Sequence, residues 1–529
     1  MAPSQLLPDP LPVLFNGSKA IPKATPKAAP KADTKLVDHA TILADEGVRG
    51  LVAQLRQRGI RVHETDGVSF PAEAAMHDRA AVVPAVVVSP QSEWGVSQTL
   101  ALLKAAGLHG RLPVSVKSGG HGYFNGATCA GLMINLSGMT KRRVEGDTMY
   151  LEPGCVLGQT IHALAAARKA VPHGDCFGVG AGGHFLTAGW DLILGRKLGL
   201  GCQSVVGGRV VLWDGTVVDV DEGRADHPEL LHAMRGGAAA GVGVVVETRL
   251  RLVEEPPLAT WRFTRLSRAQ LEVCVAAGAF AKAYGLPRDV SVSFRFHFEP
   301  DQRAPVASFN IVSLLPARET VGLVRTHMGD DVAALLVDGD MAGAGAAWNE
   351  KSLVDLRMLP ASDFLAANPG MLGEVTAEAL HASPLTYWKA TSSAREMASS
   401  HFTSVSGWVV PECEGGLLAL YDRFASAQDS PARTRMYALV IQGGGRMSEL
   451  QADCSMPLGR ALARFELHWD EPGGEEERWA RGFTDGVLDV MREHEDRDVP
   501  RPYRGDIWLA EQAGDEELDR IARLYDRRF

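Results

Sequence analysis

No two of the seven cysteines stand in a Cys-x-x-Cys pair. They fall at positions 129, 155, 176, 202, 274, 413 and 454, odd in number and irregular in spacing. That argues against a zinc ribbon, a thioredoxin-type motif and a secreted disulfide framework. No stretch approaches the roughly 18 uninterrupted apolar residues of a membrane-spanning helix. Positive charge is not in excess: 54 Lys and Arg against 64 Asp and Glu leave a formal net charge of −10. A nucleic-acid partner held through phosphates is therefore not expected. The N-terminus has no basic patch followed by an apolar run and a small-residue cleavage site. No signal peptide is read, and a reducing, cytoplasmic setting is expected.

What is present is a chain of 529 residues, 46% hydrophobic and 22% charged. That is enough to bury a large core without cross-links. Residues 1–36 form a Lys/Pro/Ala-rich arm with almost nothing to bury, and read as disordered. Globular sequence follows in two units, 37–255 and 256–480. The mostly charged segment 481–529 is expected to return to the first unit. The 56 glycines concentrate between residues 119 and 243, a first sign of backbone wrapped around a ligand.

Val86–Val88 reads as a short buried strand. Ser89-Pro90 then suits a helix start, and Val96, Leu100 and Leu103 give that helix its apolar face before Gly107. Val114–Val116 is a second strand. Leu157, Ile161, Leu164 and Ala165 mark a further helix. Asp214-Gly215 between Val205–Leu212 and Thr216–Val220 signals a hairpin with a two-residue turn. The second unit alternates differently. Ser291–Phe298, Met436–Ile441 and Ala463–Trp469 read as strands of an antiparallel sheet with helices on one side. The fold class is α+β.

Two loops carry the chemistry. One is Lys117-Ser118-Gly119-Gly120-His121-Gly122. The other starts at Gly174-Asp175-Cys176 and continues through Gly178, Gly180, Gly182 and Gly183. Glycine-rich turns present backbone amides that can cradle a pyrophosphate, and each loop also holds one nucleophile. The letters of Gly178–Gly183 match GxGxxG, but no carboxylate follows at residues 200–206 to hold a ribose. The context of a dinucleotide fold is missing.

Val116-Lys117-Ser118-Gly119-Gly120-His121 resembles the (R/K)SGGH loop of the FAD-linked oxidases of berberine bridge enzyme type, which share the vanillyl-alcohol oxidase (PCMH-type) fold. Gly174-Asp175-Cys176-x-x-Val179-Gly180-x-Gly182-Gly183 is similar to that family's second signature. Leu194-Gly195-Arg196, Asp226–Leu230, Arg235-Gly236-Gly237 and Gly243-Val244-Val245 resemble motifs that follow it. The resemblance runs in order over residues 82–252. It implies an FAD-binding unit at 37–255, a substrate-binding unit at 256–480, and FAD bonded to both His121 and Cys176. It also implies contacts from Ser118, Gly119, Gly120, Gly122, Gly180, Gly182, Gly183, Gly243, Val244 and Val245. Gly241-Val242-Gly243 stands where the family usually has Asn-Phe-Gly, and the usual C-terminal Tyr-x-Asn pair is not found.

The implied chemistry is hydride transfer from a small-molecule substrate to flavin N5, with O2 reoxidising the flavin to give H2O2. A secondary metabolite undergoing alcohol oxidation, oxidative cyclisation or oxidative decarboxylation is the expected substrate. A flavin-binding protein without turnover and an NAD-dependent dehydrogenase are the alternatives. Tyr503, Tyr387 and His297 are the candidate bases. His173 and His184 lack a metal-ligand set, and no metal is expected. Cys129, Cys155 and Cys202 read as core.

Overall fold

The computed structural model describes residues 38–76, 78, 80–121, 126–174, 178–224, 226–299, 301–338, 348–353, 401–449, 454–456, 459–469, 472–498 and 520. The N-terminal arm, Gly122, Cys176, Tyr387 and Tyr503 lie outside them.

The chain forms mixed α+β structure around four sheets. The first is four-stranded, in the order β1 (Arg61–Glu64), β2 (Val86–Ser89), β4 (Leu132–Asn135), β3 (Val114–Lys117). Here β2 and β3 both run parallel to β4, while β1 is antiparallel to β2. Parallel strands need a crossover between them, and helix Glu93–Ala105 supplies one between β2 and β3. That helix starts later than Ser89-Pro90 suggested. Ser89 completes β2, and Ser92 is the cap, its side chain accepting from the Gly95 amide at 3.3 Å.

The second sheet has five antiparallel strands in the order β5 (Arg142–Glu145), β6 (Thr148–Leu151), β10 (Gly243–Arg251), β8 (Val205–Leu212), β9 (Val217–Asp221). The β8–β9 hairpin is present, with a wider turn than expected. Leu212 N donates to Thr216 O at 2.8 Å, and Gly215 takes φ +85°. A glycine in the left-handed region closes such a loop without a steric penalty. The short strands β7 (Lys169–Ala170) and β11 (Val253–Glu254) pair with each other.

The third large sheet has seven antiparallel strands. Their order is β15 (Asn349–Lys351), β12 (Ala259–Leu266), β14 (Val306–Ser313), β13 (Val290–His297), β17 (Met436–Gln442), β18 (Ala461–Trp469), β16 (His401–Val409). Side chains alternate across a strand, so each strand feeds two faces. One face is apolar: Phe294, Phe296, Phe309, Val440, Phe465 and Leu467 are buried on it, with Phe424 and Phe483 from covering helices. Phe294 meets Phe309 edge to face at 4.6 Å, the geometry that aromatic quadrupoles favour. Helix Glu475–Glu493 belongs to this layer. It packs on β16 and β18 through Ala480, Phe483, Val487 and Leu488. The boundary expected at residue 481 therefore falls inside a helix of the sheet unit, whose apolar stripe commits it there.

A single arginine ties the two halves together. Arg196 sits in the short helix Gly195–Leu198 and is 1% exposed. Its guanidinium donates to the carbonyls of Leu286 at 2.6 Å, Tyr284 at 3.2 Å, and Gly443. Burial pushes its pKa down to about 10, and the carbonyls replace the lost water. Replacing Arg196 by Ala should lower stability in chemical denaturation by roughly 3 kcal/mol, since three buried carbonyls lose a charged donor. Arg196→Lys should recover little, because an ammonium cannot fork to three acceptors. An unchanged midpoint in Arg196→Ala would remove this arginine from the list of structural anchors.

Candidate functional site

The first glycine loop leaves β3 at Lys117. That side chain is buried, and its Nζ donates to Asn135 Oδ1 and to the Ser118 carbonyl, both at 3.3 Å. Burial pushes its pKa down to about 8, against the pull of Glu73. Gly120 takes φ +77°, and a Cβ there would stand 2.7 Å from the Ala75 carbonyl. The turn therefore requires glycine at this position.

The second loop is pinned to the first, backbone on backbone. A Cβ on Gly119 would lie 2.5 Å from Gly180 N, and one on Gly180 would lie 2.2 Å from Gly119 N. Ser118 Oγ donates to the Pro153 carbonyl and stands 3.1 Å from where a Gly182 Cβ would be. Bonds from Leu157 N to Val179 O at 2.9 Å and from Ala181 N to Cys155 O at 2.8 Å hold the second loop. Gly183 faces open space, with nothing within 4 Å of a built Cβ. What the two loops present is bare backbone, which suits the phosphates of an FAD. The fit therefore rests on Ser118, Gly119, Gly120, Gly180, Gly182 and Gly183 brought to one place.

His121 follows directly. Its half-buried ring is desolvated, which pushes its pKa down to about 4, with Glu466 opposing and Arg464 adding. The imidazole is therefore neutral near pH 7, with a ring nitrogen free of a proton. His184 lies close enough to be affected by His121, and burial pushes it down to about 4 as well, opposed by Asp191. Its Nε2 lies 3.0 Å from the Gly174 amide, which donates to it. Asp191 in turn accepts from the backbone amides of His173, Ile193 and Leu194 at 2.9, 2.7 and 2.9 Å. His184 thereby tethers the start of the segment that leads to Cys176.

Gly243, Val244 and Val245 stand apart from this cluster in their side chains. They open β10 in register with Leu212, Val211 and Val210. Val244 and Val245 bury their side chains in two different cores.

The residues acting on His121 from the other half were not singled out in the sequence. Arg464, Glu466 and His468 alternate along β18 and share the face opposite Phe465 and Leu467. Glu466 is 1% exposed. Tyr437, its partner in the β17 register, donates its phenol proton to Glu466 Oε2 at 2.6 Å. Arg464 pairs with Glu466 Oε1, and His468 Nε2 lies 3.7 Å from Oε2. Burial pushes the Glu466 carboxyl up, but Arg464, His468 and Tyr437 outweigh it and hold it well below the usual range. The alternation in Arg464-Phe465-Glu466-Leu467-His468 was the available signal: three ionisable groups on one face of a strand already expected there. His297 shares that face, in register with Tyr437. It is half-buried, lies 3.2 Å from Glu299 Oε1, and has a lowered pKa from burial and from Arg295. Arg295 lies 5.5 Å from the centre of the Tyr437 ring. Among the described residues no group of three His, Cys, Asp or Glu is placed to hold a metal. Among them, too, no helix is long and apolar enough to cross a membrane.

Residues 84–221 match the model of the FAD binding domain. A chitooligosaccharide oxidase of Gibberella zeae is 34% identical over 183 residues, which cover 34% of this chain and 36% of that protein. A tetrahydroberberine oxidase of Berberis wilsoniae is 30% identical over 185 residues, 34% of this chain and 33% of its own. The matched stretches thus span about a third of those relatives. A solved structure of a chitooligosaccharide oxidase covers 90% of this chain and 97% of its own with a TM-score of 0.69 at 17% identity, a likeness of fold. The resemblance of the glycine loops to the berberine bridge enzyme-like proteins stands with these relatives.

His184 makes the site sensitive to acid. An unfolded histidine takes up its proton near 6.5, and this one does so at about 4. Between those values the unfolded chain binds a proton that the folded chain refuses, so stability falls as pH is lowered through the window. Denaturant midpoints measured from pH 7 to 4 should decline, and His184→Asn should decline less steeply. Equal slopes for the two proteins would show that His184 is not held neutral.

Proposed function

We propose that this chain, whose residues 84–221 are an FAD-binding domain, is an FAD-dependent oxidase acting on a small-molecule alcohol or hemiacetal, with O2 as electron acceptor and H2O2 as product. The observation that carries the reading is the meeting of two halves. The glycine loops carry His121 within electrostatic reach of Glu466 and Arg464 on the polar face of the seven-stranded sheet. FAD, when bound, supplies the two-electron acceptor that no side chain offers.

The chain's own residues do the rest. Gly119, Gly120, Gly180 and Gly182 let the two loops pack backbone on backbone, and Gly183 leaves open space beside them where a phosphate can come close. His121, neutral near pH 7, keeps a nucleophilic nitrogen for attachment at the flavin 8α-methyl. Cys176, outside the described residues, is the second attachment, at flavin C6. Proton removal falls to the pair formed by Tyr437 and Glu466. The phenol already donates to an ionised carboxylate, so a proton taken from a substrate hydroxyl by Tyr437 has Glu466 to move to. Arg464 and His468 keep Glu466 charged. Among the described candidates His297 is paired with Glu299; Tyr387 and Tyr503 lie outside the described residues.

The names of the relatives support the substrate class: one oxidises chitooligosaccharides and another a tetrahydroberberine. For this chain the substrate is a secondary metabolite with an oxidisable C–H beside oxygen. Oxidative cyclisation or decarboxylation would begin with the same hydride loss.

Acid precipitation tests the attachment. Yellow colour should stay in the pellet for wild type, His121→Ala and Cys176→Ala, and leave it in the double variant, with intact masses to match. Colour released from the wild type would leave FAD bound without covalent links. For proton removal, Glu466→Gln should keep its flavin yet slow anaerobic bleaching by an active alcohol on the order of 10²-fold or more. Bleaching at the wild-type rate would assign the base elsewhere. Flavin that no alcohol or oligosaccharide bleaches would favour a flavin-binding protein without turnover.

A further inference from the structure

Cys202 and Cys454 come from opposite halves of the molecule and meet. Cys202 lies in the 3-10 turn Gly201–Ser204 that precedes β8, fully buried, its amide bonded to the Ala188 carbonyl at 2.9 Å. Cys454 lies in the loop between β17 and β18 and is half-buried. It packs against the apolar cluster that contains Cys202, Trp190, Trp408 and Met456. The two thiols lie close enough to act on each other's ionisation. Cys454 Sγ donates to the Arg235 carbonyl at 3.1 Å.

The described residues Cys454–Met456 are held by the first unit. Ser455 donates to the same carbonyl from its amide at 2.9 Å and from its hydroxyl at 3.2 Å. Gly236 leaves room for Met456, whose backbone nitrogen would be 2.6 Å from a Cβ there. The Arg235 guanidinium is itself held by the Val205 carbonyl at 2.6 Å and Glu222 at 2.8 Å. Two thiols packed at one apolar cluster, each on anchored backbone, are placed to form a bond across it.

We propose that Cys202 and Cys454 are a dithiol–disulfide site that joins the FAD-binding unit covalently to the sheet unit. The two sulfurs differ in character. Cys454 has the neighbouring Cys202 and the Arg235 charge beside it, both of which favour its thiolate. It is also the more accessible of the two. Cys202 is buried and disfavours ionisation. Cys454 is therefore the attacking sulfur and Cys202 the resolving one.

The oxidant is a hydroperoxide, whether or not this chain itself produces one. Cys454 thiolate attacks one peroxide oxygen, the O–O bond breaks, and hydroxide leaves, giving a sulfenic acid. Cys202 sulfur then attacks that sulfur, the S–S bond forms, and the sulfenic oxygen leaves as water. For H2O2, the two thiols together lose two electrons and two protons and the peroxide becomes two waters. Among the other described cysteines, Cys129 is bonded to the carbonyls of Pro113 and Leu132, and Cys155 to that of Lys141. None of these contacts is with a second thiol.

The test uses the full chain as purified. It is reduced, freed of reductant, exposed to a few equivalents of H2O2, denatured with N-ethylmaleimide, digested and read by mass spectrometry. The expected result is a peptide pair linking Cys202 to Cys454, the loss of two alkylatable thiols, and their return with dithiothreitol. The linked protein should unfold at a temperature higher by on the order of 5 °C. That shift should be absent in Cys202→Ser and Cys454→Ser. In Cys202→Ser, dimedone should label Cys454; in Cys454→Ser, Cys202 should remain fully alkylatable. The proposal is overturned if both thiols stay free after peroxide, or if Cys454 goes to sulfinic acid with no linked peptide. A link from Cys454 to a different cysteine would overturn it too.

Discussion

The contact between Gly119 and Gly180 is the constraint on which the site depends. Two loops from different parts of the first unit touch backbone to backbone, at distances no side chain could share. That contact sets where Ser118 and His121 emerge, and it leaves amides rather than side chains on the surface between the loops. The same requirement recurs at Gly120, whose left-handed backbone turns the chain between Lys117 and His121. Because a methyl group at Gly119 or Gly180 would push the loops apart, the glycines here are structural conditions of the site.

The second unit contributes a sheet whose two faces have opposite duties. One face is a continuous layer of phenylalanines and aliphatic side chains under the covering helices. The other carries Tyr437, Arg464, Glu466 and His468, a buried network in which the carboxylate is met by a phenol, a guanidinium and an imidazole. Removing one member of such a network leaves a charge without compensation in a low-dielectric setting. The stiffness of the phenylalanine layer behind it keeps these groups in register. Arg196 fixes the relation between the units by reaching across to carbonyls of Tyr284, Leu286 and Gly443.

Polar contacts between the halves are therefore concentrated at few places. Among the described residues they include Arg196, the Lys197–Asp289 ion pair at 2.7 Å beside it, and the backbone of residues 235–236 against 454–456. At two of these a short glycine-containing turn allows an approach that a larger residue would block: Gly195 against Met447 and Gly236 against Met456. Glycine clustering in the sequence thus reflects close packing between segments as much as ligand binding.

By itself the sequence determined several of the strands, the two glycine loops and the placement of His121 beside them. β-Branched runs, strict alternation and turn residues are local signals, and the ordered motifs from Ser118 to Val245 made the FAD-binding resemblance readable. Local signals also erred where two adjacent options competed. Ser89-Pro90 looked like a helix start, but Ser89 was needed in β2 and Ser92 took the cap. The charged segment from residue 481 was expected to return to the first unit, but the helix it continues packs its apolar stripe on the phenylalanine layer. Only the tertiary structure decided which ionisable groups meet. Tyr437 and Glu466 face each other across two strands, His184 stands behind His121, and Cys454 reaches Cys202 from the other half. Such encounters depend on sheet order and on the docking of the two units, and residues distant along the chain leave no mark of their meeting in a single sequence.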